Sequence, residues 1–180
     1  MIEINWVLFI IASVAVILTP GQDLLLVMSR SMTQGAAAGV ATAAGVSSGL
    51  MAHTLLATLG VGAIVMASQW LYLTMKFVGA MYLIYLGVSL LRVNNTGLQA
   101  DLTQHRSAGK LYFDGAFSNV ANPKIAIFYF AFLPQFVAPQ SENPTLAIFI
   151  LGASFALLTF LIKAPVGYFS GQLSNWFKDN

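Results

Sequence analysis

Leu18-Thr19-Pro20-Gly21-Gln22-Asp23-Leu24 interrupts an otherwise apolar run from about Ile4 to Met28. In lipid every backbone N–H and C=O must find a partner inside the protein. A Thr-Pro-Gly sequence at that depth therefore reads as a helix stopped and restarted. At a spacing of 103 positions, Asn122-Pro123-Lys124 interrupts a second apolar run, from about Leu111 to Val137. Each break sets a capping residue before a proline at what would be the first helical position, the favoured way to begin a helix. Thr19-x-x-Gln22 also has the form of a capping box. Gly49 and Gly152 keep the same spacing. The pattern predicts two halves of three spans each, hence of opposite topology. Matching broken helices in inverted halves point to a transporter's binding site.

The composition agrees. Of 180 residues, 58% are hydrophobic and 8% charged, and the mean hydropathy is +0.78. Soluble domains carry about 25% charged residues, so the chain is expected to be an integral membrane protein. The absence of cysteine removes disulfide frameworks, thiolate metal sites and cysteine nucleophiles. Two histidines, His53 and His105, are too few for a histidine-cluster metal centre. No Lys/Arg run exists to bind nucleic acid, and the net charge of +2 is better assigned to membrane topology. Met1–Trp6 holds Glu3 and no Lys or Arg, so the first apolar run reads as a retained span rather than a signal peptide.

A spanning helix needs roughly 20 apolar residues. The expected fold class is all-α: a polytopic membrane protein of five transmembrane helices, with helices one and four broken. The spans are expected at about 4–28, 39–67, 71–91, 111–137 and 145–162. Residues 163–180, with Tyr168, Phe169, Trp176 and Phe177 among polar neighbours, read as an interfacial amphipathic segment. Residues 1–92 would form the first repeat, 93–110 a cytoplasmic loop, and 111–180 a second, incomplete repeat whose sixth helix is missing. Arg30, Arg92, Arg106, Lys110 and Lys178 cluster on one side of the spans. That bias places the N-terminus outside and the chain end in the cytoplasm.

Asp23 is the first candidate for chemistry, because an ionised carboxylate at membrane depth is costly unless paired or hydrated. It could carry a proton or accept a substrate's ammonium, or simply sit favourably in the first turn of a restarted helix. Lys124 is its expected partner, brought close by the pseudo-two-fold axis. That pair could make and break during transport, or be static. Asn119 and Asn122 could hydrogen-bond a zwitterionic ligand, with Asn122 also capping the helix at Pro123. The restarted helices would present free N–H groups to a carboxylate. His53 could relay a proton, although an intramembrane histidine is more often bonded to a neighbour. The repeated Gly35-x-x-x-Gly39 and Gly45-x-x-x-Gly49 spacing favours close helix packing. Lys76, Arg92 and Lys163 are expected to snorkel.

The chain resembles the LysE/RhtB family of bacterial amino-acid exporters over nearly its whole length. The resemblance rests on Thr19-Pro20-Gly21-Gln22-Asp23; on Arg30-Ser31 with Gly35, Gly39 and Gly45; and on His53. It rests further on Gly79-Ala80-Met81-Tyr82-Leu83 with Gly87, on Phe117 with Asn122-Pro123-Lys124, and on Phe132-Leu133-Pro134-Gln135-Phe136. Two departures stand out: Gln22 replaces a second proline usual in the family, and the family's sixth hydrophobic segment lies beyond this chain. The resemblance implies a protein of the bacterial inner membrane that exports amino acids at the expense of the proton-motive force, with no organic cofactor. It looks closer to the homoserine/threonine branch than to the basic-amino-acid branch.

The substrate and proton site is thus expected at Thr19, Pro20, Gly21, Gln22, Asp23, Asn119, Asn122, Pro123, Lys124 and His53. The partners would be a small amino acid, protons, the bilayer and a possible second copy of the chain. An intramembrane enzyme is disfavoured, since no second acid lies at comparable depth and no nucleophile–base pair is evident. The alternative is a truncated or non-transporting membrane protein acting as a scaffold or partner subunit.

Overall fold

The computed structural model describes residues 4–91, 105–138 and 141–179. Among them the chain forms seven α-helices: α1 (Trp6–Leu18), α2 (Gln22–Gln34), α3 (Ala36–Ala67), α4 (Gln69–Leu91), α5 (Ala108–Val120), α6 (Pro123–Phe132) and α7 (Pro144–Asp179). A 3-10 turn, Leu133–Phe136, follows α6. Arg92 and Asp101 of the expected polar loop, and Glu3, lie outside the described residues. Helices α3 and α4 and residues Pro144–Ser174 of α7 are each long and apolar enough to cross a membrane. The pair α1–α2, bent by 53° at its break, makes a fourth such element. The expected fourth span is divided into α5 and α6, of 13 and 10 residues, each too short to cross by itself.

Both breaks fall where the sequence places them, but their local chemistry differs. At the second, Asn122 is the N-cap: its Oδ1 accepts from the Lys124 N–H at 3.0 Å, and Pro123 opens the helix. At the first, the expected capping box does not form. The Thr19 hydroxyl turns back and donates to the Ala15 carbonyl at 2.8 Å, so Thr19 closes α1 instead of opening α2. Gly21 is the N-cap of α2 and offers no side-chain bond, which leaves Pro20 in the linker. A hydroxyl can serve a preceding carbonyl or a following N–H, and the extra residue at Gly21 separates Thr19 from the new helix.

The tail is also corrected. Instead of lying at the interface after Ile162, it continues α7 through Pro165. Proline costs a helix one N–H donor, a loss that neighbouring groups make tolerable inside membrane proteins. Here α7 is docked along its length. Gly167 lies against Gly39 of α3 and Val27 of α2, and Gly171 against Ala36 and Ser31. The Ser31 hydroxyl donates to the Gly167 carbonyl, and the Ser174 hydroxyl to the Met32 carbonyl at 2.9 Å.

Helix α3 is the axle of the structure, packing chiefly on α5 and α7. Its small-residue stripe makes this possible. A Cβ on Gly45 would strike the backbone carbonyl of Tyr112, one on Gly49 would lie 2.8 Å from the Asn119 Cβ, and one on Gly115 of α5 would lie 2.5 Å from the Thr42 carbonyl. An aromatic cluster of Phe9, Phe128, Phe132, Phe136 and Phe155 binds α1, α6 and α7 at one end of the bundle. There Lys76 does not snorkel. It is half-buried, and its Nζ donates to the Val137 carbonyl at 3.1 Å, while Gln135 Nε2 donates to the Lys76 carbonyl at 2.8 Å.

Replacing Gly45 with alanine is expected to cost about 1–3 kcal/mol or more, because the neighbour it meets is backbone and cannot rotate away. Gly87→Ala, with open space around it, is expected to cost nothing. Thermal unfolding of the two variants in detergent checks the contrast.

Candidate functional site

The two breaks meet. Asn122 Nδ2 donates to Gln22 Oε1 at 3.3 Å, joining one break directly to the other. Next to this contact lies a cavity of about 250 Å³, room for one small solute or several waters at about 30 Å³ each. Thr19, Pro20, Gly21, Gln22 and Asp23 line one side, Asn122 and Lys124 another, and Phe155, Thr159 and Lys163 of α7 a third. Seven of the ten residues expected at the site therefore line one cavity. Pro123 is not on the lining; it is exposed at the head of α6. Asn119 and His53 stand behind the lining, buried between α3 and α5.

Asp23 is 7% exposed. Its Oδ2 accepts from Asn119 Nδ2 at 2.8 Å and faces Lys163 Nζ at 3.6 Å. The expected Asp23–Lys124 pair does not form. Lys124 is exposed on the cavity rim, and Lys163, expected to snorkel, is the buried partner at 7% exposure. The physical reason is the continuation of α7. Its glycines let the helix lie against α2, and Lys163 comes one turn before Gly167 on that contact. A carboxylate taken out of water needs its counter-charge within a few ångströms, and Lys163 is the cation that the packing delivers. The sequence signal was a lone lysine at the end of an apolar run, which by itself is indistinguishable from a snorkelling one.

Two features leave the cavity chemically open. Asp23 Oδ1 is buried with no hydrogen-bond partner. The first turn of α2 has no side-chain cap; its first helical bond runs from the Leu25 N–H to the Gly21 carbonyl, so the N–H groups of Gln22, Asp23 and Leu24 precede the ladder. Such a helix end favours a carboxylate. The equivalent end of α6 is occupied by the Asn122 side chain, so only one of the two expected anion-binding ends is available in this way.

Behind Asp23, Asn119 is positioned by Gly49, which admits its side chain against α3. Its amide nitrogen must face Asp23, because a carboxylate can only accept. The Asn119 backbone carbonyl in turn accepts from His53 Nε2 at 3.1 Å, which fixes the proton on that nitrogen. His53 Nδ1 is buried without a partner. Asn119 thus touches Asp23 and His53 touches Asn119, and neither lines the cavity. Among the described residues no group of three or more His, Asp or Glu could hold a metal ion.

Removing one charge of the buried pair, by Asp23→Asn or Lys163→Met, is expected to destabilise the protein by about 3–5 kcal/mol, and removing both by clearly less than the sum. A double-mutant cycle measured by unfolding in mixed micelles tests this.

Residues 14–180 match the family model described as LysE type translocator. The chain is 30% identical over 174 residues to the homoserine/homoserine lactone efflux protein of Salmonella typhimurium, covering 96% of this chain and 84% of that protein. It is 31% identical over 179 residues to the uncharacterized membrane protein YrhP of Bacillus subtilis, covering 94% and 84%. No solved structure matches. The matched length, the apolar helices and the cavity where two broken helices meet agree: this chain belongs to the LysE type translocator family and is a multi-pass membrane transporter, not an enzyme.

Proposed function

We propose that this protein exports small neutral amino acids, of the homoserine and threonine kind, from the cytoplasm in exchange for protons. The observation that carries the reading is Asp23: a buried carboxylate on the cavity wall whose Oδ1 has no partner. An α-amino acid offers an ammonium for that oxygen and a carboxylate for the uncapped N-terminus of α2. The relatives named for homoserine efflux support the same substrate class.

The coupling follows from competition. One carboxylate oxygen cannot hold a proton and a substrate ammonium together, so protonation of Asp23 releases substrate and loss of the proton readmits it. If the protonated carrier returns inward while the loaded one moves outward, each amino acid leaving is exchanged for a proton entering. The chain also repeats one order of elements, a short helix, a break, a short helix and a long helix, in α1–α2–α3 and α5–α6–α7. With residues 1–92 and 111–180 as inverted halves, rocking of one against the other about the Gln22–Asn122 contact would open the cavity to alternate sides. The N-terminus would then lie in the periplasm and the chain end in the cytoplasm of a bacterial inner membrane, a reading that the positive loop charges support.

The test is efflux from cells preloaded, through hydrolysable dipeptides, with a panel of amino acids, with and without an uncoupler. Export of homoserine or threonine that stops with the uncoupler, and falls at least tenfold in Asp23→Asn, is expected. An inserted wild-type chain that exports none of the panel overturns the reading, and export indifferent to the uncoupler overturns its proton coupling.

A further inference from the structure

We propose that Lys163 is a specificity-determining residue, one that reserves the cavity for amino acids with no net positive charge. The proposal rests on the amino-acid exporter reading above and deepens it. Among the described residues lining the cavity Asp23 is the sole acid, while Lys163 and Lys124 are both cations, and the uncapped end of α2 adds further positive potential. The acid is also already shared. Asn119 takes its Oδ2 at 2.8 Å, and Lys163 stands 3.6 Å from that same oxygen.

That separation is longer than the roughly 2.7–2.9 Å of a charge-assisted hydrogen bond, so the pair can open without losing a short bond. A neutral α-amino acid fits it by exchange. Its ammonium takes Asp23 Oδ1, and its carboxylate takes Lys163 Nζ and the N–H groups of α2, so that every charge keeps a partner. A dibasic amino acid brings a second ammonium that finds no second acid and two lysines instead. Beside the buried Lys163 that repulsion is screened less than in open water. Buried at 7% exposure and linked to α2 through Asp23, Lys163 cannot swing out into solvent to relieve it.

The experiment uses the purified full chain. Homoserine, threonine, lysine and ornithine are compared as ligands by their protection against thermal unfolding, with efflux of the same compounds as a second readout. The wild type is expected to recognise the neutral pair and not the dibasic pair. Lys163→Gln is expected to raise the dibasic-to-neutral preference at least tenfold, because Asp23 is then an unmatched negative charge. Thr159→Asp, which adds a carboxylate to the cavity wall one turn from Lys163 while leaving the lysine in place, is expected to shift the preference the same way. It decides the matter if Lys163→Gln does not fold. Variants that fold and keep the wild-type preference overturn the role of Lys163, as does a wild type that accepts the dibasic amino acids; in both cases the exporter reading stands. A wild type that recognises no amino acid overturns the exporter reading itself, and the inference with it.

Discussion

A carboxylate held at membrane depth must be neutralised, and the Asp23–Lys163 pair does this across two helices that are far apart in the chain. Helix α2 starts at a break that exposes its N-terminus, and α7 passes it closely enough to bring a lysine to 3.6 Å. Were α7 to stop at Ile162, the acid would lack its counter-charge, and only Phe155 and Thr159 of α7 would remain on the third side of the cavity. A buried ion pair is weak evidence of added stability, since the desolvation cost offsets much of the attraction. In the function proposed above, the pair serves instead as a binding device. One oxygen of Asp23 is committed to Asn119 and Lys163, and the other is buried without a hydrogen-bond partner.

The pair in turn depends on how closely the backbones approach. Gly39 meets Gly167, Gly171 meets the start of α3, and Gly45, Gly49 and Gly115 let α5 lie against α3 almost backbone to backbone. In a bilayer no hydrophobic force drives helices together, so such contacts rest on van der Waals packing and interhelical hydrogen bonds. The same stripe has a second consequence. Gly49 makes room for Asn119, which orients Asp23, and the Asn119 carbonyl holds His53. The glycines of α3 thus position the site without touching the cavity.

The residues around the breaks were legible in the sequence because a proline or glycine inside an apolar run has few physical meanings. Thr19 through Asp23, with Asn122 and Lys124, come together around one cavity. The role of Thr19 was not legible. A threonine before proline suits either the end of one helix or the start of the next, and the choice is made by the backbone of Gly21. Lys124 carried the right charge in the right half, but α6 presents it exposed on the rim, and no pair with Asp23 forms.

By itself the sequence determined that the chain lives in a membrane, that two of its helices are broken, and that one acid stands at the first break. These follow from local composition and backbone chemistry, which do not need a partner to be read. Only the tertiary structure decided which cation meets that acid, how far α7 extends, and which helix end stays uncapped. The ion pair joins residues 140 positions apart. Their meeting depends on glycine contacts between α2, α3 and α7 that form only when the helices pack, and periodicity along any one helix does not encode them.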